Sequence, residues 1–138
     1  MATLVYNKAR KLFATAAINW PALGSVKAAL LNGNYTPNPA SHQFMSDISA
    51  GNILVRSGSA TGLGVSNNGV VQAVLPTFVA LSTAGVPVTS IVLYIDTGVD
   101  ATSTLIYYSS DVIGFPFVPV GANYAVLSDQ NAGGWFQV

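Results

Sequence analysis

The chain has no cysteine, no glutamate, a single histidine, and charged side chains at only 7% of positions. Each scarcity excludes something. Without cysteine there is no disulfide framework and no thiolate metal site. Five Lys/Arg against five Asp give a formal net charge of zero. There is then no basic field to hold a phosphate backbone, and direct nucleic-acid binding is not expected. Long hydrophobic runs are missing too. A spanning helix needs about 18 consecutive apolar residues, and the best stretch, Val70 to Leu81, is broken by Gln72, Pro76 and Thr77. No membrane association is expected. Lys8, Arg10 and Lys11 precede Leu12-Phe13-Ala14 in the manner of a secretory leader, but the apolar part ends early, at Asn19-Trp20-Pro21.

What remains is a chain of 138 residues that is 51% apolar. That length suits one domain over residues 1–138 with a substantial core. So little charge does little to keep copies apart. Either much of the surface is covered by other subunits, or a tight monomer is coated in Ser, Thr and Asn.

The segment from Thr89 to Asp111 organises the rest. Ile91-Val92-Leu93-Tyr94-Ile95 and Leu105-Ile106-Tyr107-Tyr108 flank a run of Asp, Thr, Gly and Ser, the pattern of an antiparallel hairpin with an extended loop. An apolar run without alternation predicts a central strand covered on both faces. Asn7 to Ala16 predicts a helix capped by Asn7, with Leu12, Phe13 and Ala16 inward. Its three cations lie in the first half, the unfavourable end for the helix dipole. They form either a solvated face or a docking patch for an acidic neighbour.

Val26 to Leu31 reads as a strand before the Asn32-Gly33-Asn34 turn, and Tyr35 to Pro39 as extended chain. Ser41 to Ile48 predicts a short helix capped by Ser41, with Phe44, Met45 and Ile48 inward. Ile53 to Val55 is a short strand, and the glycine-rich Ser57 to Gly69 reads as a mobile loop. Two short strands are expected between Val70 and Val88, around Pro76. Phe115 to Pro119 suits an edge or a crossover. Ala122 to Leu127 and Trp135 to Val138 read as closing strands joined by a Ser128 to Gly134 turn. The sum is mainly β, an antiparallel β-sandwich or jelly-roll-like barrel with one or two short helices.

Four motifs invite a chemical reading. Leu93 to Asp100 (LYIDTGVD) resembles the Asp-Thr-Gly signature of retroviral-type aspartic proteases, with Val112-Ile113-Gly114 as the second element. Only 13 residues separate Gly98 from Val112, too few for the flap and strands those enzymes place there. A turn explains the motif without catalysis. His42 lacks a Gly-x-Ser-x-Gly elbow and reads as part of a polar helix face. Asp96 with Asp100, or Asp129 with Asn131, could offer oxygens to calcium, but neither follows the twelve-residue loop pattern. Gly58 to Gly64 lacks the Lys-Ser/Thr of a phosphate loop. No catalytic residue, metal site or cofactor is expected, and no enzyme.

Two blocks are familiar together. Val26 to Ile48 (VKAALLNGNYTPNPASHQFMSDI) and Tyr94 to Tyr107 (YIDTGVDATSTLIY) resemble, in order and spacing, a family of small virion proteins of tailed bacteriophages. The segment from Ile53 to Asn68 departs from that pattern. The resemblance implies a structural virion protein, most simply a capsid decoration (cement) protein on the phage head surface. Its implied partners are the major capsid protein and further copies of itself, as a homotrimer. Lys8, Arg10 and Lys11 are the candidate capsid contacts. The alternatives are a tail or neck protein of the phage, or a carbohydrate-binding β-sandwich module that presents Trp20, Tyr107, Tyr108 or Trp135.

Overall fold

A computed structural model describes residues 3–112, 114–126 and 134–137. The fold is mainly β, two antiparallel sheets in a β-sandwich arrangement with one α-helix among the described residues. The strands are β1 (Thr3–Val5), β2 (Val26–Leu31), β3 (Ile53–Arg56), β4 (Thr61–Val65), β5 (Val70–Val74), β6 (Ser90–Ile95), β7 (Thr104–Ser109) and β8 (Phe136–Gln137). The larger sheet has the order β1-β7-β6-β2-β3, and the smaller one β4-β5-β8.

The hairpin expected around Asp96 is present, and β6 lies at the centre of the five-stranded sheet. Its two faces are covered by different things. Ile91 and Leu93 join the core shared with the smaller sheet, which includes Val71, Ala73 and Phe136. Val92 and Tyr94 turn the other way, onto Tyr6, Tyr35, Met45 and Ile48. A strand with apolar partners on both sides has no reason to alternate with polar residues. The alternation of β7 slips once, because the register shifts opposite Leu93 and Tyr94. Ile106 and Tyr107 therefore both face the first core, while Leu105 and Tyr108 face the second.

Helix α1 spans Asn7–Ala14, two residues shorter than the pattern suggests. Its N-cap is Tyr6, not Asn7. The buried Tyr6 is held in extended backbone by its N–H donating to Ile106 O at 3.0 Å, so strand pairing sets where the helix begins. Ala9 is buried, and Leu12 and Phe13 pack on the core. Ala16 is exposed and leaves the helix at φ +59.

Four expectations need correction. Ser41 to Ile48 is not a helix: only Met45–Asp47 forms a 3-10 turn, and Phe44 is half-buried. Backbone groups there are taken by the neighbouring strand, with Met45 N–H donating to Ser103 O (2.9 Å) and Leu105 N–H to Gln43 O (2.9 Å). Asp47 accepts from Gln43 N–H and Phe44 N–H at 2.7 and 3.0 Å, which fixes a turn rather than a helical start.

The glycine-rich Ser57 to Gly69 contains a strand, β4, paired with β5. Backbone pairing needs no side-chain propensity, and a register shift with Gly62 at φ +61 absorbs the misfit. After β5 there is no second full strand before Val88: Phe78 and Val88 make isolated bridges to Tyr124 and Phe117. Pro76 and Pro87 flank those bridges and cannot donate to a ladder. The Ala122 to Leu127 strand is likewise a single bridge at Tyr124. Leu127, most of the Ser128 to Gly134 turn, and Val138 lie outside the described residues.

Candidate functional site

Of the five cations in the chain, two are spent on ion pairs inside the β-fold. Lys27 on β2 lies 2.9 Å from Asp96. Arg56 on β3 holds Asp100 in a two-pronged pair at 2.8 and 2.7 Å, with its guanidinium 5.8 Å from the centre of the Tyr94 ring. The other three, Lys8, Arg10 and Lys11, are together on α1, and among the described residues none has an acidic partner. The sequence-predicted docking residues therefore share one helix, with Lys8 and Lys11 one turn apart and Arg10 turned well away from Lys8, and they hold the cations left unpaired among the described residues.

Each of the three sits differently. Lys8 is half-buried, its ammonium 5.0 Å from the centre of the Phe44 ring, a cation–π contact that steadies the side chain. Arg10 and Lys11 are exposed. Arg10 lines an open, mostly apolar cavity of about 440 Å³ with Val5, Phe13, Ala14 and Gln137. Because the helix ends at Ala14, Lys11 stands in its last turn, where a cation suits the dipole, and Lys8, in the first turn, opposes it by a few tenths of a kcal/mol. An anionic surface docked there would relieve that cost.

The Asp-Thr-Gly segment is a turn in ionised form. Asp96 accepts from Gly98 N–H at 3.1 Å, and Gly98 takes φ +86. The hydrogen-bonded Lys27, then that backbone N–H, hold the Asp96 carboxyl below the usual carboxylate range. A carboxylate so committed to a cation is unlike one that shares a proton. The second element of the protease reading includes Ile113, outside the described residues. Asp100 is likewise held low by Arg56. The calcium idea for Asp96 and Asp100 thus meets two carboxylates already paired, and Asp129 with Asn131 lies outside the described residues.

His42 is not on a helix face. Its Nδ1 receives Asn38 N–H at 3.2 Å and faces the Tyr35 hydroxyl at 2.9 Å, while the two rings stack. Tyr35 continues to Tyr6 through a 2.7 Å hydroxyl contact. Burial raises both phenols, Tyr35 to about 12 and Tyr6 further. This chain of rings pins the Tyr35 to Pro39 segment over the larger sheet, which is a structural task.

The aromatic set proposed for sugar binding is corrected by its burial. Trp20, Trp135, Tyr107 and Tyr108 are all inside the protein. Both indoles are spent on β5: Trp20 Nε1–H donates to Gln72 O (2.8 Å) and Trp135 Nε1–H to Ala73 O (3.0 Å). They staple the neighbouring segments to the smaller sheet rather than presenting a platform.

A second surface escaped the motif reading. Val79 and Val120 are 75% and 88% exposed, with Val86 and Val118 also at the surface. The available signal was an absence: no charged residue occurs from Ser57 through Ile95.

With fold and site described, the class is plain: a mainly β, two-sheet protein carrying a cationic helix. No protein-family model matches the chain, and no curated protein does.

Proposed function

We propose that the chain is a structural virion protein, a decoration protein that sits on the head of a tailed phage and bridges capsid subunits without catalysis. The observation that carries the proposal is the gathering of Lys8, Arg10 and Lys11 on α1, unpaired among the described residues, in a chain whose formal charge is zero. A protein that keeps its free cations on one helix can dock there on an acidic surface, while the rest of the chain, with five Asp against Lys27 and Arg56, is net acidic. The resemblance of residues 26–48 and 94–107 to small phage virion proteins names the setting. The scarcity of charge on the remaining surface suits a protein packed among other subunits. Self-association, as a trimer in this reading, places several such helices on one shell and multiplies weak contacts.

Imaging the intact particle of the phage that encodes this chain tests the proposal. Density for the chain at junctions of the head shell, with α1 against the capsid protein, is the expected result. Density confined to the neck or tail replaces the head assignment with the tail reading. Absence of the chain from the purified particle overturns the virion proposal altogether.

A further inference from the structure

We infer that the paired loops 76–88 and 115–124 form the surface through which copies of this chain associate. This deepens the self-association part of the reading above by naming the face, and it rests on that reading only for the expectation that copies meet.

The loops are preformed. Phe78 and Tyr124 exchange N–H···O bonds of 2.8 Å each, and Val88 and Phe117 do so at 2.7 and 3.1 Å. Leu81 N–H donates to Ala122 O (3.0 Å), Gly121 N–H to Leu81 O (2.8 Å), and Ala80 N–H to Asn123 Oδ1 (2.9 Å). A surface already ordered loses little conformational entropy on binding. Yet this rigid lobe turns valines outward. Val79, Val86, Val118 and Val120 are exposed, and Val118 and Val120 edge a shallow hollow of about 110 Å³ with Leu81, Phe117 and Tyr124. Two alanines of the lobe, Ala80 (φ +48) and Ala84 (φ +52), hold left-handed backbone that favours glycine. Such positions cost about 1 kcal/mol or more each and gather where a surface has a task.

Charge selects the occupant. The lobe lies within two stretches, Ser57 to Ile95 and Val112 to Ser128, that contain no charged side chain. A charged partner would surrender hydration there with nothing to replace it. A nucleic acid, or the acidic surface proposed for α1, would find no free cation: Arg56, which borders the lobe beside Val79, is already held by Asp100. The fitting partner is an equally uncharged apolar patch. A second copy brings that patch at the same concentration, in an arrangement that symmetry can close.

Sedimentation velocity on the purified full chain, over about two decades of concentration, reads the association directly. The double variant Val79→Asp with Val120→Asp sets new charges against the opposing copy. It is expected to weaken association at least tenfold, with an unchanged far-UV spectrum and melting temperature, since both side chains are exposed. Val120→Ser, which adds no charge, is expected to weaken it severalfold, and Lys11→Glu to leave it unchanged. Equal association of the double variant and the wild type overturns the inference while leaving the virion reading intact. Loss of association in Lys11→Glu moves the contact to α1 and overturns it as well. A wild-type chain that stays monomeric throughout overturns both this surface and the self-association in the proposed function.

Discussion

Valine has two opposite fates in this protein. In the five-stranded sheet, Val26 and Val92 are fully buried, each in one of two cores. In the paired loops, Val79 and Val120 are three-quarters exposed or more. The residue type is the same, and what differs is the layer above it. The sheet is sandwiched between the smaller sheet and the Tyr6/Tyr35/Met45/Ile48 group, while the loops have one covered side. Apolar identity thus supplies a driving force, and the architecture determines whether that force is spent on folding or left for association.

Truncation sharpens the contrast most. Leu93→Ala, at a fully buried central-strand position, should cost about 3 kcal/mol in a denaturant titration. Val79→Ala should change stability by less than about 0.5 kcal/mol. If both cost the same, the contrast between sheet and lobe fails.

Gly134→Ala is expected to cost about 2 kcal/mol, because the added methyl would stand 2.6 Å from Val71 O and against the Val70 side chain. A thermal melt reads it. Retention of the wild-type melting temperature would show that the smaller sheet yields where the larger one does not.

Charge reversal on α1 separates docking from folding. Lys8→Glu with Arg10→Glu and Lys11→Glu should lower binding to isolated phage shells at least tenfold, and added salt should weaken the wild-type binding. The melting temperature should change little, since an acid at position 8 suits the start of the helix while one at position 11 stands unfavourably in its last turn.

The smallest effect is in acid. Asp47, Asp96 and Asp100 are all held below the ordinary carboxylate value, by backbone N–H groups, Lys27 and Arg56 respectively. A depressed folded-state value means their stabilisation is complete above the unfolded value, about 4, and is lost as pH falls through the folded one. Stability should therefore decline below about pH 4, and Asp100→Asn should flatten part of that decline. Both partners of the Arg56–Asp100 pair are about 40% exposed, so its share should not exceed about 1 kcal/mol.

Much of the larger sheet was legible in residue order. Ile91 to Ile95 and Leu105 to Tyr108 are strand-length apolar runs around turn formers, and they became β6 and β7. Their register slip at Ile106 was not legible, because it depends on which residues the two cores accept. The Ser41 to Ile48 segment misled for a related reason. Its apolar spacing fits a helix, but its backbone groups bond to Gln43–Leu105 and Met45–Ser103 partners far along the chain. β4 was hidden by glycines that make poor strand formers and yet leave N–H and C=O groups free to pair. Of the candidate site, the cationic cluster was readable as four consecutive positions holding three bases, whereas its lack of acidic partners among the described residues emerged only from the structure, in which Lys27 and Arg56 take Asp96 and Asp100.

Local patterning was enough to make this a mainly β chain with a basic N-terminal helix, because strand length, turn chemistry and helical spacing act between near neighbours. It could not say that Trp20, Trp135 and Tyr107 would be enclosed while Val79 and Val120 faced out. Burial is assigned by segments distant in sequence arriving on one another, and a side chain carries no record of which segment will cover it.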